Sequence, residues 1–201
     1  MIIRIPAFFL LCLTTLSLKA QLITTSPEFP KETDNITITF DASKGSGGLK
    51  DLGTDVYLHT GVITDKSSGP SDWKYVKHEW GTTFPDIKMT SKGNNLFEIN
   101  IGNPRTYYGV PAGEKILKLA FVFRNADGLK KGTNTDGSDI YAQIYSDGAF
   151  AVRFKSPDFD PKFTPVVSPI TKAIGESLTV TAVSSSSANL SLTLNGVPFS
   201  S

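Results

Sequence analysis

The residues best suited to chemistry form one short aromatic segment, Trp73-Lys74-Tyr75-Val76-Lys77-His78-Glu79-Trp80. Aromatic rings carry a large apolar face and, in Tyr and Trp, one polar edge. A pyranose ring offers a matching surface, flat C–H faces bordered by hydroxyls. Rings held in solvent on a stiff sheet, beside hydrogen-bonding groups, would therefore hold a sugar. Read as one unbroken strand, Trp73 and Trp80 are seven residues apart and point to opposite faces. Val76 shares the face of Trp80, so that face is expected inward. Trp73, Tyr75 and Lys77 then share the outer face. In Val56-Tyr57-Leu58-His59, the residues Tyr57 and His59 oppose the apolar Val56 and Leu58 and join the same platform. Arg124 follows the longest apolar run and could donate to sugar hydroxyls, or pair with Asp127. Trp73, Tyr75, Lys77, Tyr57 and His59 thus form the candidate binding platform, with Arg124 as a further candidate contact. The competing reading packs Trp73 and Tyr57 into the core or its rim. Tyr107-Tyr108-Gly109 is a second aromatic pair, able to grip a ligand or to pack on a sandwich edge.

Other chemistries find weaker footholds. Nucleophilic catalysis needs a base beside the nucleophile, and neither His59 nor His78 sits in such a motif. Glycoside hydrolysis needs two carboxylates flanking the bond. Asp136 with Asp139, or Asp158 with Asp160, could supply a pair, but they lie in a Gly-rich turn and a Pro-rich stretch and read as turn formers. Asn134-Thr135-Asp136-Gly137-Ser138-Asp139 places oxygen ligands around a glycine. It lacks the twelve-residue spacing and terminal glutamate of a calcium loop and reads as a solvated hairpin turn. No catalytic residue, metal or cofactor is expected.

These side chains must be positioned by strands. Ile36, Ile38 and Phe40 alternate with Thr37 and Thr39, and Phe97, Ile99 and Ile101 alternate with Glu98 and Asn100. Such alternation sends one face to a core and the other to water. Ile116 to Phe123 is apolar on both faces apart from Lys118, which marks a central strand covered on both sides. Asp127-Gly128, Asp136-Gly137, Asp147-Gly148 and Asn195-Gly196 are pairs favoured in tight turns. No segment keeps a capped helical period. The pattern predicts an all-β fold, a β-sandwich over residues 21–156. A Pro-rich linker follows over 157–170. Residues 171–201 read as the start of an immunoglobulin-like β segment, shorter than the roughly 100 residues such a sandwich needs. A short β appendage packed on the first unit is the other reading.

Residues 1–20 combine Arg4, a short apolar run and small or polar residues at the end, the layout of a cleavable secretory signal. A lipid anchor at Cys12 is the alternative. The formal net charge is +1. Losing Arg4 and Lys19 leaves 18 basic against 19 acidic residues, a net of −1. That balance offers no electrostatic footprint for nucleic acid or anionic lipid. Cys12 is the only cysteine, so a processed chain has no disulfide and relies on its core. The chain is expected to be exported, secreted or held at the cell surface, monomeric and not inserted in a membrane.

The runs Val56-Tyr57-Leu58-His59-Thr60-Gly61, Trp73-Lys74-Tyr75-Val76 and Trp80-Gly81 resemble the N-terminal starch-binding-like β-sandwich modules of secreted Bacteroidota amylases. So does Leu117 to Gly128, ending in Phe123-Arg124-Asn125-Ala126-Asp127-Gly128 and followed by Asp136-Gly137-Ser138-Asp139-Ile140. The resemblance covers roughly residues 25–150. It implies a non-catalytic module covalently joined to an α-amylase-type barrel in a longer parent, with α-glucan polysaccharide as the ligand. It also adds Trp80 to the candidate ligand-binding residues, since Trp73, Trp80, Tyr57, His59 and Arg124 all match the module's pattern. Two other readings stand beside it, a structural spacer that binds no sugar and an incomplete hydrolase gene.

Overall fold

The computed structural model of the chain describes residues 21–165, 169–189 and 191–199. The expected signal segment, residues 1–20, lies outside the described residues.

Two antiparallel sheets face each other, as the alternating pattern predicts. The first contains β1 (Ile23–Ser26), β2 (Ile36–Asp41), β4 (Thr90–Gly93) and β5 (Leu96–Gly102), in the order β1-β2-β5-β4. The second is built on β3 (Tyr57–Thr64) and β6 (Ile116–Arg124), which pair along their length with His59 opposite Val122. The other edge of β6 is shared. β7 (Lys131–Gly132) pairs with its C-terminal end, and β8 (Ile140–Gln143) with its N-terminal half.

Inward residues of the two sheets form one core. Ile36, Ile38 and Phe40 of β2 meet Leu58 of β3 and Leu119, Phe121 and Phe123 of β6, all fully buried. The rings of Phe40 and Phe123 stack at 3.9 Å. Burying each such side chain stabilises the fold by about 1.5–3 kcal/mol. β6 is the central strand the apolar run predicts. Its outward residues Ala120, Val122 and Arg124 are buried as well.

Tyr107 and Tyr108 belong to a short helix, α1 (Pro104–Tyr108). The Asn103 side chain accepts from Thr106 N–H, Pro104 opens the first turn, and Gly109 ends it at φ 73°. These are favoured residues at each position. The Tyr108 hydroxyl lies 2.6 Å from Thr60 Oγ1 inside the core, so this tyrosine packs rather than grips.

Beyond β8, β9 (Val152–Ser156) pairs with β10 (Thr181–Ser184), and β11 (Leu192–Leu194) with β12 (Val197–Phe199). Asn195 and Gly196 join the last two strands with both φ positive, as a tight hairpin turn requires. The strand that ends the first sequence segment is thus hydrogen-bonded to the second. Residues 161–163 lie beside β8. Tyr141 N–H donates to Pro161 O, and Phe163 packs edge-on against Tyr141.

Candidate functional site

The site lies on the outer face of the β3–β6 sheet. His59 and Val122, cross-strand partners, form its floor. One wall is the segment 71–80, which is not the unbroken strand the parity argument assumes. Lys74 pairs with Val62 through two backbone bonds of 2.8 and 2.9 Å, and Lys77 N–H then donates to Thr60 O at 3.0 Å. Three steps along the segment match two along β3. One residue is therefore extra, and the backbone absorbs it as a bulge with Tyr75 at φ 52°. A bulge inverts the facing of everything beyond it. Trp73 and Trp80 consequently flank His59 together, with ring centroids 5.8 and 5.0 Å from the imidazole. Gly61 lets the segment close on β3, since a Cβ there would meet Lys74 O at 2.9 Å.

The same bulge corrects the expected platform. Trp80 does not face inward with Val76; it is 41% exposed, and Val76 is exposed beside it. Tyr75 turns to the core side, where its hydroxyl donates to Glu114 Oε2 at 2.6 Å. Lys77 donates to Tyr107 O at 3.0 Å and pairs with Asp86 at 3.4 Å, also away from the cleft. Tyr57 is only 8% exposed. Its ring lies under the Arg124 guanidinium at 5.6 Å.

Arg124 is fully buried, with 0% exposure, and so cannot reach a ligand. Its guanidinium donates to Asn125 O and Ala126 O at 3.0 Å each and to Thr82 O. It does not pair with Asp127, whose carboxylate accepts from Leu129 N–H. The arginine ties the 80s segment to the 125–128 turn and sits 5.6 Å from the Trp80 ring. The Lys131 ammonium lies 5.1 Å from that ring.

Trp73 is half-buried, and its indole N–H donates to the Tyr141 hydroxyl at 3.3 Å. Trp73, His59 and Trp80 are thus the expected residues that the fold brings together. They line a cleft of about 450 Å³ that Lys131, Thr133 and Asp139 line as well. Burial lowers the His59 pKa, and the Arg124 charge adds to the effect, so both favour the neutral imidazole. Burial raises the Asp139 pKa, against the opposing pull of Lys131 and of a hydrogen bond with Tyr141.

Lys131, Thr133 and Asp139 were not legible as binding residues, because only the pairing of β7 and β8 with β6 brings 131–139 beside His59. The turn reading of 134–139 holds in part. Asp136 accepts from Ser138 N–H and Oγ, and it pairs with Lys162 at 2.7 Å. Asn134, fully buried, donates to Ser138 Oγ and Asp139 O and so fixes the turn that presents Asp139. Asp136 and Asp139 do not form a facing pair across the cleft. Asp158 accepts from Gln21, and Asp160 accepts from Thr135. Among the described residues, no group of three His, Cys, Asp or Glu is placed to hold a metal ion. Nor is any described helix long and apolar enough to cross a membrane.

A family model described as a domain of unknown function (DUF8578) matches residues 23–131, more than half of the chain. The match runs from β1 to β7 and includes both tryptophans, His59 and Lys131. No curated protein matches the chain.

Proposed function

The chain belongs to the DUF8578 family, and we propose that it is a non-catalytic module binding a starch-like α-glucan through the Trp73–His59–Trp80 cleft. The observation that carries this reading is the convergence of both of the chain's tryptophans on one open cleft that polar groups also line. Rings spaced along a cleft can lie against successive sugar faces. Each such contact contributes on the order of 1 kcal/mol, so a single site binds weakly and gains from being linked to other sites. The resemblance to amylase modules supports α-glucan as the polymer. It also supports a place ahead of a catalytic barrel in an exported enzyme.

A spacer role without sugar binding is the second reading. It is favoured by the two cations over Trp80, which already occupy part of its surface. Intrinsic fluorescence separates the two readings, because every tryptophan in the chain lies in the cleft. Titrating the full chain with maltoheptaose should give a saturable change in emission, and amylopectin in a native gel should retard the chain. Trp80→Ala should abolish the retardation. A wild-type chain showing neither response would leave the spacer reading standing.

A further inference from the structure

We infer that Asp139 is the hydrogen-bond acceptor that reads the free 2,3-diol of a stacked glucose unit, and so sets the cleft's preference for linkages that leave that diol open. The inference rests on the sugar-binding reading above.

Asp139 stands at the start of β8 and lines the same cleft as Trp73 and Trp80. Its position is fixed rather than incidental. Asn134, fully buried, holds the Asp139 carbonyl at 2.7 Å and the Ser138 hydroxyl at 3.3 Å. The next residue, Ile140, is fully buried and paired with Phe121.

The other carboxylates nearby are already engaged. Asp136 binds Lys162 and Ser138, and Asp160 meets Thr135 and Lys162. Among the described residues no cation pairs directly with Asp139, and Lys131 acts on its charge only through space. The Tyr141 hydroxyl, which meets Pro70 O and the Trp73 indole, also hydrogen-bonds the Asp139 carboxyl, and this one contact leaves the carboxylate further lone pairs to offer. Asp139 is thus a half-buried carboxylate facing an aromatic cleft with spare acceptor capacity.

An ionised carboxylate is acceptor-only and takes two donors side by side, and such charge-assisted bonds are stronger than neutral ones. Adjacent hydroxyls of a pyranose are donors at that spacing. Lys131 adds a donor for the ring or glycosidic oxygens. In 1,4- and 1,6-linked glucans the 2- and 3-hydroxyls are both free. A 1,3-linkage consumes one of them, and methylation removes both donors while keeping the stacking faces.

The test compares maltoheptaose with its 2,3-di-O-methylated form, each titrated into the full chain and read by tryptophan emission. Wild type should prefer the free sugar by about tenfold, the loss expected for one charge-assisted bond. Asp139→Asn should bring the two ligands within about twofold of each other, whereas Asp136→Asn should keep the full preference. An Asp139→Asn chain that still prefers the free sugar tenfold overturns the inference and leaves the stacking reading intact. Failure of wild type to bind either ligand overturns both.

Discussion

Gly128 lies against the indole edge of Trp80, so closely that a methyl group on its Cα would sit 2.3 Å from Nε1. It also holds φ at +75°, the left-handed region. Two costs therefore meet in Gly128→Ala, backbone strain of about 1–2 kcal/mol and displacement of the ring. Gly148 has a similar φ of +71° with open space where a Cβ would go, so Gly148→Ala carries only the strain. Gly128→Ala should lose more stability in urea than Gly148→Ala and should also shift tryptophan emission. Equal losses with unchanged emission would show that the ring gives way freely.

Arg124 fixes the other side of the same indole. Removing its guanidinium takes the side-chain donor from Thr82 O, Asn125 O and Ala126 O, of which Asn125 O keeps only the Gly128 N–H. Arg124→Met should therefore destabilise the fold by roughly 2–4 kcal/mol. Arg124→Lys should recover little of this, because an ammonium cannot reproduce the planar fork between two rings. Chemical unfolding of both variants checks the point. Full recovery by lysine would reduce the arginine to a point charge.

The sandwich was legible because its strands are locally self-consistent. Ile36, Ile38 and Phe40 alternate strictly, and the run into Phe123 is apolar on both faces, so burial follows from period alone. The cleft was legible only in part. Nothing in the spacing of Trp73 and Trp80 reveals the extra residue at Tyr75, yet that one residue turns both indoles to the same side and sends Tyr75 to Glu114. Arg124 read as a ligand contact because its charge suggests solvent. Its true partners are backbone carbonyls from two turns, which no side-chain pattern encodes. Asp139 read as a turn former because it shares a Gly-rich turn with Asp136.

His59 sets an acid limit on stability. Its folded pKa lies below the ordinary histidine value of about 6.5. The unfolded chain thus binds the proton more readily, and stability falls as pH drops from that ordinary value toward the lowered one. Above the ordinary value there is no penalty; below the lowered value it is complete. His59→Gln should flatten this part of the profile. Unfolding free energies at pH 7.5, 6 and 5 that fall equally in both chains would place the acid sensitivity elsewhere.

Asp139 makes the opposite prediction, and it separates binding from folding. Burial holds its folded pKa above the ordinary carboxylate value of about 3.9. A raised carboxyl destabilises the fold when ionised. That cost is absent below the ordinary value, grows as pH rises toward the folded value, and is complete above it. Asp139→Asn removes the charge and should therefore melt at or above wild type at pH 7, with the gap closing below pH 4. The same variant should lose its preference for sugars with free hydroxyls. A residue that served only the fold would lose stability on substitution, whereas one kept for a ligand can gain it. Thermal melts at both pH values decide the matter. A wild type more stable than Asp139→Asn at pH 7 would mean that the carboxylate is spent inside the protein and is not offered to the cleft.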